Sequence, residues 1–496
     1  MDFSSAFDTI PRDRLLQKLL SHNISGRFFN IIRNIYTNDK ACIKVDRQHT
    51  EPFDISRGVR QGCVLSPLLF NIFIADLIKE LDLNQGKTMI GGYEIACIAW
   101  ADDLVLVSEN ELTLQKMLNT LESYCDENKL QINTDKTKCM TFNKTGRLMR
   151  KTFFIKGVPI ENVRSYKYLG FLVTPSGEIR SGLQDLRDRA LKGFMKLKTT
   201  LGNAFRQDIV TTLTLIDSII KPVLLYLSDF WGCLKLPKNN PIENLHMMMC
   251  KQLLGVQKQT TNHGVLLELG RTPLYIQAAK QAIKNWERIR RGKANVILMA
   301  SCKENLNNWD LEVMGSLQTN GMLCFYQNTY DNKPMFIYKK AFQNLSDQFH
   351  QNAFESIKGN RSKLRTYAVF KKEIGFEKYL YDVKNPIVRA QVTKFRLSNH
   401  KLAIETGRHK NIPKELRFCP FCTNHVETET HFLFYCPMYK MLRETLTKDN
   451  SGNFRHYTDD QKLQQLLINT RKMTVTYISK ALDLREFLLA KHKMQT

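Results

Sequence analysis

Two apolar runs, Ile95–Trp100 and Leu104–Val107, are separated only by Ala101-Asp102-Asp103. Short apolar runs around so small a polar break read as a β-hairpin with two carboxylates at its tip. Adjacent carboxylates repel each other unless a cation joins them. Most surface Asp-Asp pairs are simply solvated, but here apolar residues reach right up to the pair. Hard divalent cations such as Mg²⁺ take carboxylate oxygens and fill their remaining positions with waters or phosphate oxygens. Two such ions can stabilise both the attacking and the leaving oxygen of a phosphoryl transfer. A third carboxylate from another strand would complete the cage.

Around this hairpin, helical and strand signals mix. Leu114, Met117, Leu118, Leu121, Tyr124 and Cys125 recur at helical spacing. Phe153–Ile155 and Val158–Ile160 flank Lys156-Gly157 as a second hairpin, and Tyr166–Val173 is a further strand. Helices mixed with antiparallel hairpins give an α+β layer. Beyond it, residues 176–245 read as helical and basic, and 246–388 as mostly helical with no legible motif. The tail from Lys462 to Lys491 is periodic and helical.

The 496 residues suit about three domains. Lys and Arg number 73 against 48 acids, a net charge of +25, which suits a polyanion such as nucleic acid or an acidic membrane surface. The longest apolar stretch, Cys63–Ile78, contains Ser66, Pro67, Asn71 and Asp76 and is too polar to span a membrane. Most of the 12 cysteines are scattered, which favours free thiols in a reducing compartment. No G-x-S-x-G, P-loop, G-x-G-x-x-G or H-E-x-x-H occurs, so a hydrolase or nucleotide-dependent oxidoreductase has no support.

Three segments together resemble the palm motifs of reverse transcriptases. They are Asp2-Phe3-Ser4-Ser5-Ala6-Phe7-Asp8, then Arg57-Gly58-Val59-Arg60-Gln61-Gly62 continuing to Asn71, then Ala101-Asp102-Asp103. The second is similar to the version in non-LTR (LINE-type) retrotransposons and group II introns. Tyr166-Lys167-Tyr168-Leu169-Gly170 resembles the primer-grip hairpin. Trp100 departs from the usual Tyr or Phe.

The resemblance implies an RNA-directed DNA polymerase that uses an RNA template, a DNA primer or target and dNTPs, without a membrane. Asp2, Asp102 and Asp103 would hold two Mg²⁺ ions. Phe7 would sit under the sugar and disfavour ribonucleotides, and Gln61, Gly62 and Lys136 would face nucleotide or template. A glycine at 62 would permit close backbone approach. Asp8 reads as structural. The domains implied are a palm over 1–175, a thumb over 176–245, a helical connector over 246–388, a basic segment with a zinc knuckle over 389–440 and a helical tail over 441–496. The setting would be intracellular, in nucleus and cytoplasm. Asp2 opens the chain in mid-motif, so the expectation is an N-terminally truncated protein without fingers or endonuclease. Its Asp2 would fray and its activity would be impaired. A non-catalytic RNA- or DNA-binding remnant is the alternative, and an intron-maturase relative is a weaker one.

Independently, Cys419-Pro420-Phe421-Cys422, His431 and Cys436 suit a tetrahedral structural Zn²⁺. His425 is a rival ligand. Glu429 reads as a surface residue, with orientation of His431 as its other reading. Residues 389–417 hold eight Lys or Arg against Glu405 and Glu415. Lys394, Arg396, His400, Lys401, Arg408, His409, Lys410, Lys414 and Arg417, with Phe395 and Phe418 between them, read as a phosphate-binding and base-stacking surface.

Overall fold

Apolar residues three and four apart build the helices of the N-terminal region. α1 (Ala6–Thr9) is one turn, α2 (Arg12–Ser21) buries Leu15 and Leu19, and α3 (Gly26–Thr37) buries Ile32 and Tyr36. The Cys63–Ile78 stretch becomes α4 (Ser66–Asp82), with Pro67 in its first turn, where a fixed φ and a missing N–H cost nothing. Its Phe70, Phe73, Leu77 and Leu81 are fully enclosed, each such side chain contributing about 2 kcal/mol. α5 (Glu111–Glu127) is capped by Asn110, whose side chain accepts from the N–H groups of Leu112 and Thr113. Its buried face carries Met117, Leu118, Leu121, Tyr124 and Cys125, the stripe expected from the sequence.

A computed structural model describes the chain except residues 38, 84–86, 144, 148–150, 236–239, 305–307, 325–336, 360–362, 448–455, 469, 471 and 496. It divides into one unit of residues 1–182 with 294–307 and another of 183–293 with 308–496. No described helix is long and apolar enough to cross a membrane.

Strands of the first unit are short. β1 (Lys40–Ala41) pairs with β4 (Phe53–Asp54), and β2 (Lys44–Val45) with β3 (Gln48–His49). β5 (Thr88–Ile90) pairs with β6 (Tyr93–Ile95), and β7 (Cys97–Trp100) with β8 (Asp103–Leu106). β9 (Lys138–Cys139) runs parallel to β11 (Val158–Asn162), which is antiparallel to β10 (Phe153–Ile155). The hairpin around Lys156-Gly157 is therefore present. The stretch Tyr166–Val173 is not one strand. It folds back as β12 (Tyr166–Tyr168) and β13 (Phe171–Val173) around Leu169-Gly170, both at positive φ. A two-residue turn of this kind matches the twist of its strands. Among the described residues these strands form six small sheets of two or three strands each. The α+β mixture holds, in fragments of sheet.

Helices make up the second unit, including Pro241–Leu254, Leu274–Arg290, Ile337–Lys358, Pro386–Arg396 and Lys472–Gln495. A buried charge network sits among them. The Arg396 guanidinium, fully enclosed, pairs with Glu268 and with Glu377 at 2.6 Å each. Tyr367 and Tyr379 also donate to Glu268, at 2.8 and 2.6 Å.

Candidate active site and candidate metal centre

The β7–β8 hairpin fixes the acid pair. Trp100 pairs with Asp103, leaving Ala101-Asp102 as the turn, with Ala101 at φ 53°. Asp103 is thus the first residue of β8. The Met1–Ser4 segment runs beside it: Leu104 N–H donates to Met1 C=O at 3.4 Å. On its other side, Asn133 N–H donates to Asp2 C=O and Ser4 N–H to Gln131 C=O, both at 2.8 Å. Asp2 is therefore held between two neighbours, where a frayed end was expected.

The electrostatics tie the three acids together. Burial first, then the charges of Asp102 and Asp2, push the Asp103 carboxyl above its ordinary value, and the Met1 amino group opposes them. Asp2 Oδ2 is buried and accepts no hydrogen bond. The exposed Lys136 ammonium stands 3.5 Å from it. Mutual repulsion, and a buried Asp2 oxygen that accepts no hydrogen bond and has only the exposed Lys136 beside it, are the donor chemistry that a hard cation such as the implied Mg²⁺ would satisfy. The β12–β13 hairpin lies within the same field. Burial, then Asp103 and Asp2, raise the Tyr166 hydroxyl, and burial with Asp103 raises Tyr168.

Phe7 lies on α1 with its ring 5.0 Å from that of Phe70, half in the core. Next to it, Gln61 Nε2 lies 2.9 Å from each oxygen of Asp8. Nothing in the sequence pattern pointed to this pair. The loop carrying Gln61 is laced to α1: Val59 N–H donates to Phe7 C=O and Gly58 N–H to Ile10 C=O, both at 2.8 Å. Arg12 donates to Gly58 C=O at 2.9 Å and to the carboxylate of buried Asp39 at 2.6 Å, and Arg60 pairs with Asp39 as well. Within the protein it is Gly58 that makes a close backbone approach. A Cβ on Gly58 would lie 2.7 Å from the backbone of Asp8, whereas one on Gly62 would meet nothing. Gly62 lies at a φ of +80°, which favours glycine.

The cysteine cluster is a tighter knot. One donor atom each from Cys419, Cys422, His431 and Cys436 lies within 4.8 Å of all the others. Cys422 Sγ is 3.3 Å from His431 Nε2 and Cys419 Sγ is 3.9 Å from Cys436 Sγ. Among the described residues it is the one group of three or more such donors drawn this close; the three aspartates are not. Burial raises the Cys419 thiol, but the hydrogen bond with His431 and the N–H groups of Phe421 and Cys422 outweigh it and hold it at about 7. Burial pushes Cys436 up to about 12. Three thiols and one imidazole this close fit Zn²⁺. His425 is exposed and outside the knot.

Glu429 is not a surface residue and does not bond His431. It is buried, bonded by Arg365 at 2.8 and 2.9 Å and by His400 at 3.0 Å. Against its burial, His400 and Arg365 hold its carboxyl down at about 2. Glu427, equally buried, takes two 2.7 Å bonds from Arg485.

The basic stretch is largely spent on internal bonds. Arg396 lies in the buried network, His400 on Glu429, and Arg417 donates to Ile412 and Ile404 C=O at 2.9 and 2.7 Å. Phe395 is buried against His400 and Phe432, so it cannot stack on a base. Lys401, His409, Lys410, Lys414 and Phe418 remain exposed, Lys401 paired with Glu486 at 2.8 Å.

Comparison with known proteins completes the picture. Residues 1–173 match the family model described as "Reverse transcriptase (RNA-dependent DNA polymerase)". The chain is 29% identical over 190 residues to the Pol polyprotein of type-2 retrotransposable element R2DM of Drosophila melanogaster, covering 36% of this chain and 18% of that one. It is 27% identical over 284 residues to the Pol polyprotein of type-1 retrotransposable element R2 of Nasonia vitripennis, covering 52% and 27%. To the RNA-directed DNA polymerase from mobile element jockey of Drosophila funebris it is 25% identical over 264 residues, covering 51% and 28%. The chain thus spans less than a third of the length of these relatives.

Proposed function

We propose that residues 1–173, which match the reverse transcriptase family model and resemble non-LTR retrotransposon polyproteins, work as a reverse transcriptase domain, and that the chain extends a DNA primer on an RNA template from dNTPs. The observation that carries this reading is the meeting of Asp2 with the Asp102-Asp103 hairpin, where the charges of Asp102 and Asp2 both raise Asp103. Asp2, Asp102 and Asp103 would hold Mg²⁺. When bound, the ions supply charge to the attacking 3′-OH, the α-phosphate and the departing pyrophosphate.

The chain's own residues do the rest. The Met1–Ser4 segment and β8 bring the acids together, so their positions are set by backbone pairing and not by side-chain reach. Phe7, on the same short helix as Asp8 and braced by Phe70, would offer an apolar wall where a 2′-OH finds no partner. Lys136 stands by Asp2 to meet phosphate charge. In the second unit Cys419, Cys422, His431 and Cys436 would hold a structural Zn²⁺. Exposed His409, Lys410, Lys414 and Phe418 beside it favour a contribution to RNA or DNA binding. The expected setting is reducing, nuclear and cytoplasmic.

The test is primer extension on an RNA template with Mg²⁺ and dNTPs, comparing the chain with Asp102→Asn. Extension lost in the variant supports the reading. No extension by either, with salt-sensitive RNA binding by both, would replace it with that of a binding protein.

A further inference from the structure

Asp8 takes no part in the acid cluster. The groups that shift Asp103 are Asp102, Asp2 and the Met1 amino group. Asp8 is exposed, and so is Gln61. An exposed pair of this kind adds little to stability, so the fold alone does not account for it. Yet both oxygens of Asp8 are engaged by one amide nitrogen at 2.9 Å. The supporting backbone is tight: Gly58 presses on the Asp8 main chain, and Val59 is bonded to Phe7. Asp8 and Gln61 also line one cavity of about 530 Å³, together with Asp39, Arg12, Lys40, Arg57 and Arg60. Asp39 takes up Arg12 and Arg60, and Lys40 stands 3.7 Å from Asp54, so the positive charge offered to a phosphate-bearing ligand there comes chiefly from exposed Arg57.

The chemistry of the pair fixes an orientation. A carboxylate only accepts hydrogen bonds, so the amide must turn its NH₂ toward Asp8. The carbonyl oxygen Oε1 is then the polar atom of Gln61 left for a ligand. Without Asp8, the amide could turn either way.

We propose that Asp8 is a positioning residue that turns Gln61 so that Oε1 accepts a hydrogen bond from a donor on the incoming nucleotide. This rests on the nucleotide-site reading above and deepens it, because it makes Gln61 a reader of donors only. Asn at position 8 keeps one carbonyl acceptor and so retains part of the effect.

The experiment is a double-mutant cycle of Asp8→Ala, Gln61→Ala and both, with Asp8→Asn as the conservative variant. Two readouts are taken on the full chain: dNTP dependence of primer extension, and quenching of Trp100 fluorescence by dNTP. Trp100 is 68% exposed, while the other three tryptophans, Trp231, Trp286 and Trp309, are buried. Asp8→Ala is expected to raise the KM for dNTP about five- to ten-fold, the worth of roughly one hydrogen bond. The kcat should stay within about two-fold, since a uniform binding contact is lost. Asp8→Asn should fall between, and Asp8→Ala should change nothing further once Gln61 is Ala. A wild-type chain that extends primers equally well with Asp8→Ala, or additive effects in the double variant, overturns the positioning role and leaves the polymerase reading standing. No extension, with dNTP quenching weakened by Asp8→Ala only when Gln61 is present, overturns the polymerase reading and supports the positioning role. Neither extension nor quenching by the wild-type chain overturns both.

Discussion

The acid hairpin and the cysteine knot are both candidate cation sites, and they are built in opposite ways. At Asp2, Asp102 and Asp103 the acids' repulsion is only partly offset, by the Met1 amino group and by exposed Lys136, and Asp2 Oδ2 lacks a hydrogen bond. Cys419, Cys422, His431 and Cys436 converge on one point, and the acids beside them are fully paired, Glu429 by Arg365 and His400, Glu427 by Arg485. The first arrangement would suit an ion that a phosphate-bearing ligand helps to hold. The second suits a resident ion that belongs to the fold. Stability is spent at one site and stored at the other.

Variants should separate the two. The largest effect is on catalysis: Asp103→Asn should cost at least about 10²-fold in primer extension while leaving the thermal midpoint unchanged or slightly raised. Extension assays and calorimetry on the same preparation check this, and a lowered midpoint would refute the repulsion. Next is stability at the knot. Arg485→Ala leaves Glu427 buried and unpaired and should destabilise by about 3–5 kcal/mol, read by denaturant unfolding. Stripping metal with a chelator should likewise lower the midpoint of the wild-type chain, since a structural ion contributes folding free energy, and should do nothing to a Cys436→Ser variant.

Smaller effects come from the loop between the sites' extremes of design. Gly58→Ala forces a methyl against Asp8 at a φ of +78° and should cost more than Gly62→Ala, whose penalty is only the φ, about 1 kcal/mol. Equal costs would mean that the Gly58 loop relaxes away from α1. The pH responses of the acids should also oppose each other. The folded value of Asp103 is raised, so its penalty is present above that value and vanishes as pH falls below the unfolded one. Glu429 is held at about 2, so its contribution is present above the ordinary glutamate value and is lost as pH falls toward 2. Carboxyl NMR of the metal-free chain, with these two assigned by substitution, should show Asp103 titrating late and Glu429 early.

Legibility in the sequence follows the range of the interactions. The β7–β8 hairpin, the α5 stripe and the grouping of Cys419, Cys422, His431 and Cys436 are local patterns, visible in the sequence because their residues lie close along the chain. The Arg396–Glu268 pair joins residues 128 apart, so no count of charges between 389 and 417 could show that Arg396 was spent inside. The same blindness to burial made Phe395 look like a stacking ring and Glu429 like a surface acid. Asp8 and Gln61 lie 53 apart and meet because Gly58 lets the loop carrying Gln61 press against α1. The signal was present as a glycine three residues before Gln61, but a glycine in a sequence does not say which backbone it approaches.

On the proposed function, Asp2, Asp102 and Asp103 share one cation site. Fe²⁺ substitutes for Mg²⁺ at carboxylate sites, and with ascorbate and peroxide it cuts the backbone nearest to it. Cuts are expected at residues 2 and 102–103, with weaker cutting at the β12–β13 hairpin near Tyr166, all suppressed by excess Mg²⁺ and by Asp103→Asn. Cutting confined to other segments, or cutting at 102–103 without cutting at 2, would contradict it.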